Sequence, residues 1–222
     1  ERQAGFEPGD RVALVCDNSP AYVAGFFGIL LGQGVVVPLP TDVERDRLAK
    51  VLLSGEIRLA LTAGNLTPRA TDVLGEPAQE MPLFDEQGQS CGQSAEGLVR
   101  PGRAVPCATR EDPAVILLTA GSTGEPKLVT LSHGNLLANT ASIIQYLGIT
   151  PADRALSLLP FHHSFGNSVL QTHLLAGATL VQAGSVFFPN SIVEAIREHG
   201  ITSFSGVPEM YRLLLTRSDL GR

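Results

Sequence analysis

Several short, β-prone runs of this chain are apolar from end to end. Residues 114–119 read AVILLT, and residues 34–38 read GVVVP. A strand with one face in water alternates apolar and polar residues, whereas a strand that is apolar throughout is buried on both faces. Parallel sheets with helices packed on each side produce such strands. The chain is therefore predicted to be an α/β protein with mainly parallel sheets.

Helical patterns separate these strands. Ser19 and Pro20 fit the N-cap and first position of a helix over residues 21–31. Asn190 is predicted to cap a later helix, and Pro208 is predicted to open the last one. This alternation of strands and helices favours two βα-type subdomains flanked by helices.

A long segment interrupts the alternation. Residues 63–112 are rich in Gly, Pro, Gln, Ser and Glu and contain few apolar runs. Such a composition fits either a linker between subdomains or a long surface loop, and both interpretations stay open. The predicted division is a first subdomain over residues 1–110, with 63–112 as its connecting segment, and a second over residues 111–222.

Composition narrows the class of partner. The formal net charge is -6, which argues against nucleic acid, because phosphate backbones are bound by clustered Lys and Arg. The three cysteines are spaced neither for disulfides nor for zinc, so we expect free thiols in a reducing cytoplasm and no metal site. The most apolar stretch, residues 21–37, contains Gly-Gln-Gly and is too short to predict a membrane span.

The segment TAGSTGEPK, residues 119–127, directly follows the apolar strand. Its glycines tolerate positive φ and let backbone N–H groups approach an anion. Its hydroxyl groups add donors, and its lysine adds a positive charge. The segment therefore predicts a phosphate-binding loop whose ligands are Thr119, Gly121, Ser122, Thr123, Gly124 and Lys127.

Three other interpretations compete for this segment. The common P-loop needs Ser or Thr after its lysine and then a helix, but Leu128 follows Lys127 here. A GxSxG-like nucleophile elbow would make Ser122 the nucleophile of a serine hydrolase, but it also needs a helix after the turn. Pro126 and the β-prone LVTL run that follows oppose that helix. An ordinary Gly/Ser turn without a ligand is the third alternative.

With its flanking motifs, the loop resembles that of the AMP-forming adenylating enzymes. This family includes acyl-CoA synthetases, aryl-acid ligases, luciferases and the adenylation domains of peptide synthetases. The loop follows the pattern [ST]-[SG]-G-[ST]-T-G-x-P-K-G except at Ala120 and Leu128. The run LPFHHSFG at 159–166 is similar to the family's LPLFHxxG segment, and VPEMY at 207–211 is similar to its VPxMY turn. The resemblance covers most of the chain and is weakest over residues 63–112.

The resemblance implies a two-step reaction. A carboxylate attacks the α-phosphate of ATP to give an acyl-adenylate, and a thiol of coenzyme A or of a carrier protein's phosphopantetheine then takes the acyl group. Mg²⁺ would accompany the phosphates. Lys127 would be the catalytic cation of the loop. His163 would shape the site of the acid substrate, with a packed histidine at a strand end as the alternative.

Two further expectations follow from the same resemblance. No acidic residue occurs in FHHSF at 161–165, where amino-acid-activating relatives carry an Asp, so a fatty, aryl or other non-amino acid is favoured. The family's YGxTE segment, its ribose-binding Asp and its distal adenylation Lys are not found in this sequence. We therefore expect an N-terminal part of a longer ligase that is inactive alone, with a non-catalytic nucleotide-binding or scaffold module as the alternative.

Overall fold

The computed structural model describes residues 7–57, 59–62, 78–80, 107–119 and 127–220. In these residues the strands are β1 (Arg11–Val15), β2 (Val35–Leu39), β3 (Leu59–Thr62), β4 (Ala78–Glu80), β5 (Pro113–Thr119), β6 (Lys127–Ser132), β7 (Arg154–Leu156), β8 (Thr179–Val181) and β9 (Ser203–Phe204). The helices are α1 (Pro20–Leu31), α2 (Arg45–Ser54), α3 (His133–Leu147), α4 (Ser164–Leu175), α5 (Pro189–Glu198) and α6 (Pro208–Arg217).

The first compact unit, Glu1–Leu136, is built on one six-stranded sheet. The strand order is β4-β3-β1-β2-β5-β6, and every neighbouring pair is parallel except β5 and β6. All five residues of β2 are buried, as are four of the five in β1. The predicted α/β class with mainly parallel sheets is therefore confirmed.

Helices cover both faces of this sheet. The connection from β1 to β2 runs in one direction along the sheet, and the connection from β2 to β3 runs back across β1. Because such crossovers are right-handed, the reversal places α1 and α2 on opposite faces. On the α2 face, Leu48, Val51 and Leu52 pack with side chains such as Val37 and Ile116 in one buried cluster. This two-sided burial explains why the strands are apolar throughout.

The predicted start of α1 is confirmed, and the predicted cap of α5 is wrong. The Ser19 Oγ accepts a hydrogen bond of 3.1 Å from the Tyr22 N–H, and Pro20 opens the helix. In contrast, α5 already begins at Pro189, so Asn190 lies inside the helix. Proline suits the first helical position because it has no N–H to satisfy. The Asn190 Oδ1 instead accepts a hydrogen bond of 2.9 Å from the Asp219 N–H.

The second compact unit, Leu137–Arg222, contains a three-stranded parallel sheet in the order β8-β7-β9. Its first strand is central, as in the first unit, and its connections again reverse direction after the second strand. Leu156 of β7 packs with Ile192 and Val193 of α5 and with Leu214 of α6. Each of these four side chains is at most 4% exposed, so they form the centre of a small hydrophobic core.

The division between the units falls within α3, after Leu136, and not near residue 110 where the sequence suggests it. The reason is the position of β5, which pairs with β2 at Val36 and Val115. The hairpin that carries the candidate phosphate loop thereby becomes part of the first sheet. The segment 63–112 also contributes to this sheet, because β4 pairs in parallel with β3.

The Asp153 carboxylate links two segments at the start of the second sheet through hydrogen bonds. The Asp153 Oδ2 accepts hydrogen bonds from the Thr150 N–H at 2.8 Å and the Thr150 hydroxyl at 3.0 Å. Its Oδ1 accepts one from the Thr202 hydroxyl at 2.9 Å. The Thr150 N–H, the Thr202 hydroxyl and the Thr150 hydroxyl hold the pKa of this carboxyl below its usual value. The carboxylate thus ties the residue before β7 to the segment before β9.

We expect the Asp153→Asn variant to be less stable and less sensitive to acid. A carboxyl with a lower pKa in the folded than in the unfolded state adds stability above about pH 4, and this contribution is lost as the pH falls through the folded pKa. Urea unfolding between about pH 7 and pH 2 measures both effects. Glu198→Gln, an exposed carboxyl on α5, is the control. Parallel loss of stability in the wild type and Asp153→Asn would contradict the assignment.

Candidate functional site

The candidate phosphate loop joins two antiparallel strands. The register of β5 and β6 places Thr119 opposite Lys127, with residues 120–126 between them. A seven-residue connection is too short for a crossover to a parallel neighbour, which takes a dozen or more residues, but it suits a hairpin. The loop ends are therefore fixed side by side by the sheet itself.

Thr119 and Lys127 are the predicted loop residues that the structure describes. Both are exposed, and the Thr119 hydroxyl donates a hydrogen bond of 3.5 Å to the backbone carbonyl of Lys127. Because Thr119 ends a strand that is parallel to β2, Thr119 and its partner Lys127 lie at the edge where the parallel strands have their carboxyl ends. Gly121, Ser122, Thr123 and Gly124 lie outside the described residues, and their contacts stay predictions.

The residues after the loop form β6 and not a helix. A nucleophile elbow places its serine between a strand and a helix, and the common P-loop also runs into a helix. Here the helix α3 begins only at His133, after six residues of strand. The strand therefore argues against Ser122 as a hydrolase nucleophile and against the common P-loop geometry.

Polar groups that the sequence did not single out lie at the same edge of the first sheet. The Thr41 hydroxyl, after β2, donates a hydrogen bond of 2.8 Å to the Asp17 carboxylate, after β1. The connections that follow these two strands lead to opposite faces, which is where α/β sheets commonly open a ligand crevice. This hydrogen bond joins the loop after β1 to the loop after β2 at the carboxyl edge of the sheet.

Cys16 also lies at this edge but is not built as a nucleophile. Its side chain is buried, and its sulfur lies 3.4 Å from the Ser19 hydroxyl oxygen. Burial, with a smaller contribution from the Asp17 charge, raises the pKa of the thiol above its usual value. Since the thiolate is the reactive form, this thiol is held in its less reactive state.

The predicted substrate residue His163 lies at the corresponding edge of the second sheet. It occupies the N-cap position of α4 with extended backbone angles, φ -90° and ψ 148°, and makes no side-chain cap hydrogen bond. The imidazole is exposed, unlike a histidine packed at a strand end. Its ring centroid lies 4.3 Å from that of the half-buried His162. The structure therefore leaves the His163 imidazole accessible at the carboxyl edge of the second sheet.

Gly166 explains why this motif needs a glycine. A Cβ built on Gly166 would lie 2.0 Å from the carbonyl oxygen of Pro160 and 3.0 Å from that of Leu159. No side chain fits at that distance, so the first turn of α4 packs directly on the loop backbone. The loop in turn makes a hydrogen bond of 3.2 Å from the His163 N–H to the Pro160 carbonyl. Gly166 thereby fixes the position of the histidine pair.

A buried amide network holds α4 beside α3 in the second unit. The Thr140 hydroxyl donates a 3.4 Å hydrogen bond to the Gln171 Oε1, and the Gln171 amide donates to the Asn167 Oδ1. Asn167 is 3% exposed, and its Nδ2 has no hydrogen-bond partner among the described residues. This network orients the helix that carries the histidine segment.

Metal-ligating side chains do not gather in groups of three or more in the described ranges. No helix in these ranges combines the length and the apolar character that a membrane span requires. His173, which the sequence left unassigned, is buried, and its Nδ1 lies 2.9 Å from the Val169 carbonyl oxygen. It is therefore a structural histidine of α4.

Comparison with known proteins gives a consistent result. The AMP-binding enzyme family matches residues 2–221. Feruloyl-CoA synthase of Amycolatopsis sp is 30% identical over 96% of this chain and 41% of its own length. The 3-hydroxybenzoate–CoA ligase of Aromatoleum sp. is 31% identical over 95% and 41%, respectively. The crystal structure of ATP-bound MatB from Rhodopseudomonas palustris superposes with a TM-score of 0.79 at 24% identity, over 96% of this chain and 42% of MatB. The chain thus spans about two fifths of the length of these relatives.

We expect Gly166→Ala to destabilise the protein, because the added methyl group meets backbone atoms that have no freedom to move away. Overpacking of this kind costs about 2 kcal/mol or more. Gly28→Ala is the matched control, since Gly28 lies on the exposed side of α1 with no atom within 4 Å of an added Cβ. That substitution should stabilise the protein by about 0.5–1 kcal/mol. Denaturant unfolding measures both, and equal effects at the two sites would contradict the close packing of α4.

Proposed function

Because the chain belongs to the AMP-binding enzyme family, we propose that it carries the phosphate-holding part of an enzyme that activates a carboxylic acid with ATP. In the proposed reaction, an oxygen of the acid's carboxylate attacks the α-phosphorus of ATP. The bond from that phosphorus to the bridging oxygen breaks, and pyrophosphate leaves with its electron pair. An acyl-adenylate results, and a thiol then attacks the acyl carbon and releases AMP.

The pairing of Thr119 with Lys127 across the mouth of the loop carries this proposal. It supports a loop whose two ends are fixed at the carboxyl edge of a parallel sheet, where α/β proteins commonly bind ligands. The Lys127 ammonium stands at the last position of the loop and is exposed, so it is free to meet a phosphate. A charge about 4 Å from a phosphate oxygen contributes ~1 kcal/mol in water and ~4 kcal/mol at a partly shielded surface.

The remaining groups of the loop have matching chemistry. Backbone N–H groups around Gly121 and Gly124 suit the triphosphate oxygens, and the hydroxyls of Ser122 and Thr123 suit either phosphate or Mg²⁺. Mg²⁺ takes oxygen ligands and usually binds through the substrate phosphates, whose charge it offsets. We therefore infer that Mg²⁺ enters with ATP and that the loop orients the complex.

The acid is inferred to lack an α-amine. Residues 161–165 contain no Asp or Glu that would pair with an ammonium group, and two relatives carry names for CoA ligation of aromatic acids. We assign His163 to binding of the acid because its imidazole is exposed at the end of the loop after β7. Coenzyme A or the phosphopantetheine of a carrier protein is the inferred thiol.

Acid-dependent exchange of pyrophosphate into ATP tests the proposed function in the protein that carries this chain. Exchange that requires a fatty or aromatic acid supports it, and thioester formation with coenzyme A against a pantetheine-bearing carrier protein identifies the acceptor. Binding of ATP without exchange for any acid would favour a non-catalytic nucleotide-binding module. Labelling of Ser122 by a fluorophosphonate would favour a serine hydrolase instead.

We expect Lys127→Ala to lower kcat/KM for ATP by about ten- to a hundredfold, since one close positive charge on the triphosphate is lost. The fold should be unchanged, because the side chain is exposed. Lys50, the only other lysine in the sequence, lies exposed on α2 and gives the matched control Lys50→Ala. Unchanged ATP kinetics in Lys127→Ala would remove the assigned role.

A further inference from the structure

Two phenylalanines are held in water by a tight turn in the second unit. Phe187 and Phe188 are 86% and 72% exposed. They belong to the segment 185–188, called the aromatic turn below, which joins β8 to α5. Large exposed apolar side chains lose the free energy that burial would give them. A pair of them in one short turn is therefore expected to meet an apolar ligand or partner.

Hydrogen bonds close the aromatic turn and tie it to the start of α5. Its N–H at Phe188 donates a hydrogen bond of 3.0 Å to the Ser185 carbonyl, which closes the turn. The Ser191 hydroxyl donates to the Phe188 carbonyl at 2.7 Å and accepts from the Ser185 N–H at 2.9 Å. Val186, which follows Ser185 in the turn, packs on the hydrophobic core of the second unit. The backbone that carries the two phenylalanines is therefore preorganised in the turn, which lowers the ordering that a ligand would require.

The aromatic turn leaves the same edge of the second sheet as the loop that carries the histidine pair. Strands β7 and β8 are parallel partners, with Leu156 beside Val181. The loop after β7 carries the histidine pair, and the loop after β8 carries the aromatic turn, so both leave the same edge of the sheet. The connections after these strands run in opposite directions, which is the arrangement that opens a ligand crevice at the carboxyl edge.

Acidic and basic side chains are absent from the part of the sequence that forms this edge. Residues 155–193, which include both loops, contain no Asp, Glu, Lys or Arg. Phe165, which follows the histidine pair in α4, is a third exposed aromatic side chain, 48% exposed. The histidine pair supplies polar groups here, whereas the three exposed phenylalanines offer nothing to a charged group and favour hydrocarbon or aromatic rings. The reacting carboxylate would therefore bind elsewhere than on these side chains.

We propose that the aromatic turn binds the apolar body of the acid, and that Phe187 and Phe188 set the enzyme's preference for acids with long alkyl or aryl groups. This inference rests on the proposed function. The two side chains are specificity-determining residues, because they contact the part of the acid remote from its carboxylate. The preference follows from the apolar area that a longer acid covers.

The test is a chain-length series from butanoate to dodecanoate, with kcat/KM measured by pyrophosphate exchange in the protein that carries this chain. In the wild type, kcat/KM should rise about two- to fourfold per methylene group over the part of the acid that covers the turn. In the double variant Phe187→Ser/Phe188→Ser this rise should flatten, while kcat/KM for butanoate stays within about twofold. Since both side chains are exposed, thermal unfolding should be nearly unchanged.

Leu215→Ser is the matched control, because Leu215 is 75% exposed on α6 in the same unit. It should leave the chain-length dependence intact. An unchanged dependence in the double variant overturns the assignment of the aromatic turn while leaving the proposed function in place. If the double variant instead loses flotation with phosphatidylcholine vesicles and keeps the dependence, the turn binds membranes and the assignment is also overturned. Absence of exchange with every acid removes the proposed function itself.

Discussion

The right-handed crossover between parallel strands is the constraint on which both units depend. Each unit begins with a strand that becomes central, then adds its second strand on one side and its third on the other. Because each crossover has the same hand, the two crossover helices of each unit, α1 and α2 in the first and α4 and α5 in the second, are placed on opposite faces. The loops after the first and second strands are then left facing each other at the carboxyl edge. The Asp17–Thr41 hydrogen bond in the first unit and the histidine pair with the aromatic turn in the second occupy these equivalent positions.

Most of the architecture could be predicted because its signals are local. The continuous apolar sequence of strands such as β2 indicates burial on both faces. The Ser19–Pro20 pair indicates the start of α1, because the Ser19 hydroxyl accepts its hydrogen bond from the Tyr22 N–H within one turn. The first residue of a helix was harder to predict where two neighbouring residues both suit a helix start. At α5, both Pro189 and Asn190 suit a helix start, and the proline determined it because a first helical position needs no N–H.

The candidate site was only partly predictable, because its remaining determinants are contacts between distant residues. No sequence signal within β6 itself indicates that this strand pairs with β5, although the seven-residue connection excludes a parallel crossover. The boundary between units was displaced for the same reason, since the pairing of Val36 with Val115 joins segments far apart in the chain. Likewise, glycine is required at position 166 because the Pro160 carbonyl oxygen lies where a Cβ would be. The Asn167 amide belongs to a hydrogen-bond network only because the fold places Gln171 and Thr140 next to it.

The antiparallel ladder below the phosphate loop also has an entropic consequence. Closing a flexible loop restricts its chain ends, and the free energy required grows slowly with loop length. In this fold the ends are already held together by the pairing of Thr119 with Lys127, so that restriction is imposed during folding and would not be imposed again by a ligand. The hairpin therefore brings the two ends of the candidate phosphate loop together before any ligand binds.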